Sequence, residues 1–211
     1  VSARWWIVGV LLALVVSVAP AQAAAPVNAT YDPYYGHATG WRPPTLMIGD
    51  STMRHAEDTY RVWYRGELNG VSARSVAAAP GLVAERCRNS SPLRRVVFGL
   101  GTNGGSWSMS RQTLVNTVNT LKRCGVRKIV FVTPYRDPAV WGNPPWRGNS
   151  AAVVAQFAGW ERQIAAKRHG VCTAEWAQVA RPYLFDGVHY NAAGEQVHVR
   201  LVRAALEGAC R

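Results

Sequence analysis

This sequence of 211 residues has no pair of cysteines or histidines at CxxC or HxxxH spacing, which argues against a zinc site. It has no dense basic run either, only pairs such as Arg94-Arg95, although its formal charge is +12. Of its 24 basic residues only three are lysine. Scattered arginine does not make the basic stripe of a nucleic-acid binder, so no nucleic acid is expected as a partner. The charge fits nonspecific attraction to anionic envelope polymers, or a plain compositional bias towards arginine. No internal repeat or low-complexity tract is present, which excludes a repeat architecture. Only one apolar segment, Trp5 to about Val18, approaches membrane length. It falls short of the roughly 20 residues that cross a bilayer, and no other segment is longer.

That segment follows Arg4 and precedes Pro20 and Ala21-Gln22-Ala23-Ala24-Ala25. A short positive region, a short apolar core and an A-x-A site describe a secretory signal peptide over residues 1–25, cut after Ala23 or Ala25. A retained membrane anchor is the alternative. Residues 26–43 form a Tyr-, Pro- and Gly-rich lead-in, and 44–211 one domain, long enough for a proper core. Export suits the even set of cysteines, Cys87, Cys124, Cys172 and Cys210. Three pairings are possible. All four cysteines fall at the amino-terminal edge of the predicted strands, and the expected bridges are Cys87–Cys124 and Cys172–Cys210.

The domain alternates strand and helix. Strands are expected at 45–49, 71–77, 95–100, 128–133 and 171–176. A helix from Thr52 to about Leu68 buries Met53, Ala56, Tyr60 and Trp63, with Asn69-Gly70 as its stop. A short helix lies near 81–87. Ser110, Ser150 and Asn191 are N-caps of three further helices with apolar faces, the second carrying Trp160 inward. This repetition predicts an α/β fold: a five-stranded parallel sheet with helices on both faces, its site at the carboxyl ends of the strands.

Three motifs fall at those ends. Gly49-Asp50-Ser51 follows the apolar run Thr45 to Ile48. Gly101-Thr102-Asn103-Gly104 follows the run Val96 to Leu100. Asp186-Gly187-Val188-His189 follows the last strand. A serine hydroxyl needs a base within hydrogen-bond reach, and that base needs an acid to fix its tautomer. Ser51, His189 and Asp186 are the candidates, and an asparagine at a strand end can donate to an oxyanion.

With these motifs the chain resembles the SGNH hydrolases, or GDSL-type esterases, over about Leu46 to Leu206. The resemblance implies a flavodoxin-like three-layer α/β/α sandwich. It implies Ser51 as nucleophile and oxyanion N–H donor, Asn103 as a second donor, and Asp186 and His189 as acid and base. The family's remaining glycine donor has Gly81 as its nearest match. IGDSTM, GLGTNG and DGVHYNAAG are closer in style to cell-wall O-acetyltransferase domains than to the classical lipases.

Other residues carry softer signals. The long loop after the fourth strand holds Tyr135, Arg136, Trp141, Trp146 and Arg147. With Trp107, its aromatics can form a flat wall for a sugar ring or an acyl chain, and Arg136 or Arg147 can pair with an acidic sugar. The plain alternative is that the aromatics pack the loop onto the sheet. His55 lies one helical turn past Ser51, which can bring it near the site, but it has no acid at useful spacing. His37, His169 and His198 read as surface or loop residues. Asp50 organises the turn, and Glu57 and Asp58 face solvent. The expected protein is thus an exported, monomeric serine esterase, secreted or held in the cell envelope. It acts on an ester substrate, an acylated glycan or lipid among the choices, without metal or organic cofactor. O-acyl transfer to a cell-wall glycan is the first alternative, and a non-catalytic glycan-binding protein on a hydrolase fold the second.

Overall fold

In a computed structural model, residues 44–63, 67–88, 92–208 and 210 are described. The expected signal segment and lead-in, His37 among them, lie outside the described residues, as does the Trp63 side chain. The strand β1 (Thr45–Gly49) is buried at every position. It leads through Asp50 into α1 (Ser51–His55) and α2 (Glu57–Trp63), then β2 (Glu67–Gly70). A turn and a 3-10 segment precede α3 (Ala79–Arg88), β3 (Arg95–Gly99), α4 (Gly105–Ser108) and α5 (Arg111–Arg123). The chain ends with β4 (Lys128–Val132), α6 (Pro138–Trp141), α7 (Ala151–Lys167), β5 (Val171–Ala174), α8 (Trp176–Val179) and α9 (Ala192–Glu207).

The strands pair in parallel in the order β2-β1-β3-β4-β5. Side chains alternate across each strand and fill two cores. Leu46, Ile48, Val96, Phe98, Ile129 and Phe131 meet α3, α5 and α7 on one face. Met47, Val97 and Val130 meet Met53, Tyr60, Val199 and Val202 on the other. This is the expected α/β/α sandwich. The order in which strands are added reverses between β1 and β3, and in such sheets the crevice at that switch is where ligands bind.

The second strand differs from expectation. The helix predicted over Thr52 to Leu68 breaks at Ala56, and its predicted tail is β2 itself. The reason is paired burial of polar groups. Glu67 and Arg86 form a 3.0 Å ion pair with side chains 1% and 3% exposed. Arg74 holds the side chain and carbonyl of Asn69. A buried strand with polar residues in two of its four positions carries no apolar run. The stretch predicted as strand, 71–77, is a turn leading into the 3-10 segment, and Ser75 caps it. The last strand stops at Ala174, and Trp176 starts α8.

The helix caps fall where their sequence signals lie. Ser110, Ser150 and Asn191 accept from the backbone N–H of Thr113, Val153 and Gly194. Cys87 bridges to Cys124 and Cys172 to Cys210. His198 corrects the surface reading: it is 1% exposed, inside the α9 face. Its Nδ1 lies 2.9 Å from the Tyr60 hydroxyl, and the Trp176 and Tyr190 rings stand 5.1 and 5.0 Å away. Burial pushes its pKa down to about 3, so the ring is neutral. Trp160 is partly buried against the core.

Candidate active site

The first site residue sits at a tight strand-to-helix turn. A Cβ on Gly49 would lie 2.1 Å from the Met53 side chain, so only glycine lets β1 pass this close to α1. Asp50 is fully buried and caps α1; its Oδ1 accepts from the Thr52 N–H at 3.0 Å and the Thr52 hydroxyl at 2.8 Å. Burial raises its carboxyl pKa, and the hydrogen bonds from Thr52 and Thr102 oppose the shift. Asp50 therefore organises the turn, as expected. Arg74 adds a second brace by donating to the Gly49 carbonyl at 3.1 Å. Ser51 is the first residue of α1, where a backbone N–H has no acceptor within the helix.

The acid and the histidine share one closed turn. Phe185 N–H donates to the His189 carbonyl at 3.0 Å, and Gly187 takes φ +79° between them. Asp186 Oδ1 accepts from the backbone N–H of Val188 at 2.9 Å and of His189 at 2.7 Å. Its Oδ2 lies 2.6 Å from His189 Nδ1. Partial burial raises the carboxyl pKa, but the hydrogen bonds from the His189 ring and the two backbone N–H groups outweigh it, and the net shift is downward. His189 Nε2 lies 2.9 Å from Ser51 Oγ. The Tyr190 hydroxyl donates to the Thr52 carbonyl and so clamps this turn onto α1. One hydrogen-bonded chain thus runs Asp186–His189–Ser51 across 138 residues of sequence between the last two.

Asn103 follows β3, on the other side of the switch point. Its carbonyl accepts from Val76 N–H at 3.2 Å, which fixes the backbone. Its Oδ1 accepts from Arg136 Nη2 at 3.1 Å, and its buried Nδ2 has no partner. An amide nitrogen free to donate and a serine able to lose its proton to an imidazole are the parts that acyl transfer uses. Among the described residues, no group of three or more His, Cys, Asp and Glu could hold a metal ion.

The remaining candidates lie on different elements. Gly81 lies inside α3 and not at a strand end; β2 ends eleven residues before it, because the strand sits earlier than predicted. Trp141 does reach the site: its Nε1 donates to the Asp186 carbonyl at 3.2 Å. Trp107 is exposed on α4, and Trp146 packs over Gly148 with one side open. Tyr135 packs against the core on the α9 side of the sheet. Arg136 is 5% exposed with its donors turned inward, so it is no free clamp for an acidic sugar; Arg147 is exposed. His55 stands beside His189, near the site as its spacing allows, and so does Phe185, which is 65% exposed and which no sequence motif singled out. Phe185 immediately precedes the acid, which was its one available signal.

No family model and no curated protein matches the sequence. Solved structures do match. The C-terminal catalytic domain of peptidoglycan O-acetyltransferase A from Streptococcus pneumoniae, solved with a methylsulfonyl adduct, aligns with TM-score 0.60 at 20% identity, over 77% of this chain and 92% of that one. A lipolytic protein of the G-D-S-L family from Veillonella parvula aligns with TM-score 0.59 at 15% identity, over 75% and 95%. An acetyl xylan esterase from Geobacillus stearothermophilus aligns with TM-score 0.54 at 18% identity, over 77% and 94%. The chain has the fold of the SGNH hydrolases.

Proposed function

We propose that this chain is a serine enzyme of the SGNH type that cleaves carboxylic esters through an acyl-enzyme. The observation that carries the reading is the hydrogen-bonded chain from Asp186 through His189 to Ser51, at 2.6 and 2.9 Å. Ser51 Oγ attacks the ester carbonyl while His189 Nε2 takes its proton. Asp186 holds the proton on Nδ1 and steadies the imidazolium. The Ser51 N–H and Asn103 Nδ2 receive the developing oxyanion. The imidazolium then protonates the leaving alcohol, and water activated by the same imidazole releases the acid. No step calls for a metal or an organic cofactor.

Two intramolecular disulfides support an oxidising compartment, and with it secretion or residence in the cell envelope. No helix among the described residues is long and apolar enough to cross a membrane. An acetyl group on a glycan is the substrate favoured by the likeness to the acetyl xylan esterase. The likeness to the peptidoglycan O-acetyltransferase domain favours a second reading, in which a sugar hydroxyl replaces water as acceptor.

The test is cleavage of p-nitrophenyl acetate by the wild type and Ser51→Ala, with a chito-oligosaccharide present and products read by mass spectrometry. Hydrolysis lost in Ser51→Ala is the expected result. An acetylated oligosaccharide would assign transfer instead. Undiminished turnover in Ser51→Ala would overturn both.

A further inference from the structure

We infer that Arg136 is a positioning residue for the oxyanion donor: its planar guanidinium fixes the Asn103 amide so that Nδ2, and not Oδ1, faces the reacting carbonyl. The inference rests on the acyl-transfer reading of the site. An asparagine amide can sit either way round, and only one way presents a donor. Arginine carries donors alone, so the Asn103 atom that meets Nη2 at 3.1 Å is the oxygen. Nδ2 then points to the other side, where it is buried and unpartnered.

The guanidinium is itself held at several points. Its Nε donates to the Thr102 carbonyl at 2.8 Å, one residue before the asparagine. Trp141 covers its Cζ at 4.1 Å and donates in turn to the Asp186 carbonyl. One side chain therefore links the loop after β3, the loop after β4 and the turn that carries the acid. Lysine offers a point charge and cannot span the Thr102 and Asn103 acceptors as a planar fork.

Burying this cation is costly. Arg136 is 5% exposed, and Nη1 has no partner. Desolvation lowers its pKa to about 10 while Asp50 and Asp186 oppose the shift, so it stays charged at neutral pH. An apolar side chain would pack the same space without an unsatisfied buried donor. The charge is better accounted for by what it does to its neighbour: a cation on Oδ1 polarises the amide and strengthens Nδ2 as a donor.

The test compares Arg136→Lys, Arg136→Gln, Asn103→Ala and the double variant Arg136→Gln/Asn103→Ala in p-nitrophenyl acetate cleavage, each checked for folding by thermal melting. Loss of an oxyanion donor costs about 10²–10³-fold in kcat, and Asn103→Ala is expected in that range. Arg136→Gln and Arg136→Lys are expected to lose roughly 10–100-fold in kcat with KM little changed. In the Asn103→Ala background, Arg136→Gln is expected to cost less than about threefold, because both act through one group. Full additivity, or wild-type kcat in Arg136→Lys, would overturn the inference. A second readout is free of turnover: the Asn103 side-chain amide resonances of 15N-labelled protein. Their shift and broadening in Arg136→Gln is expected, and unchanged resonances would overturn the inference. A wild type that cleaves no ester would sink the esterase reading, while the amide resonances would still decide whether Arg136 sets the Asn103 amide.

Discussion

The imidazole of His55 stacks on that of His189, with ring centroids 5.2 Å apart and planes 26° from parallel. Phe185 flanks the same ring at 6.1 Å, also at 26°. His55 reaches this place because α1 begins at Ser51 and turns once before it ends. In the proposed mechanism His189 gains a positive charge when Ser51 attacks, so a charge at position 55 acts on that step directly. His55→Glu is expected to move the acid limb of the pH–rate profile to higher pH, and His55→Lys to lower pH. Both shifts should shrink as salt rises, because the position is exposed. Profiles that coincide for all three proteins would show that the stack is electrostatically silent.

Asp186 has a double duty that one substitution can separate. Its Oδ2 faces the ring of His189, and its Oδ1 closes the turn through two backbone N–H groups. Asp186→Asn retains the size but can place an NH₂ against Nδ1, which favours the wrong tautomer. The expected loss in kcat is about 10³–10⁴-fold, with KM little changed. Steady-state kinetics with a small ester measures it. A loss below about tenfold would mean that another group orients the histidine.

The site was more legible in the sequence than the element that flanks it. Ser51, Asn103, Asp186 and His189 follow strands or close a turn, and glycine marks each neighbourhood: Gly49, Gly101, Gly104 and Gly187. The strand β2 was not legible because two of its buried residues, Glu67 and Asn69, are satisfied by Arg86 and Arg74, which lie elsewhere in the chain. His198 was misread for a related reason. A histidine among Val197, Val199 and Arg200 looks like an exposed helix position until Tyr60, from the opposite end of the domain, meets it. Arg136 belongs to the same class. Its partners, Thr102 and Asn103, are 34 and 33 residues away, so sequence alone left it as a free cation in a loop.

The disulfides lie at the amino-terminal edge of the sheet, away from Ser51. Each joins residues 37 or 38 positions apart. Loop closure of that size stabilises by about 3–4 kcal/mol in the chain-entropy account. Cys87→Ala/Cys124→Ala is expected to lower the unfolding free energy by about that amount and leave the proposed ester cleavage by the folded protein unchanged. Urea unfolding followed beside ester cleavage separates the two effects. A fall in kcat without denaturant would show that this edge communicates with the site.

Two buried groups give stability opposite slopes with pH. His198 has a folded pKa of about 3 against an ordinary 6.5, so the unfolded chain takes up the proton first. Its contribution is fully present above about pH 6.5 and is lost as pH falls towards 3, by roughly 1.4 kcal/mol per unit. Glu161 is fully buried in α7 with neither carboxylate oxygen partnered. Burial raises its pKa well above 4.5; Glu175 adds to the shift and Arg162 opposes it. Here the folded chain holds the proton longer, so stability is lost as pH rises above about 4.5. The substitutions His198→Gln and Glu161→Gln should therefore act in opposite directions. His198→Gln flattens the acid side and moves the stability maximum to lower pH. Glu161→Gln removes the loss on the alkaline side and moves the maximum to higher pH, and Glu161→Met adds stability at pH 8 by removing an unsatisfied buried acid. Urea midpoints from pH 4 to 9 measure all three. A His198→Gln curve parallel to the wild type would mean that the ring takes up its proton as readily folded as unfolded. A parallel Glu161→Gln curve would mean that Glu161 ionises as readily folded as unfolded.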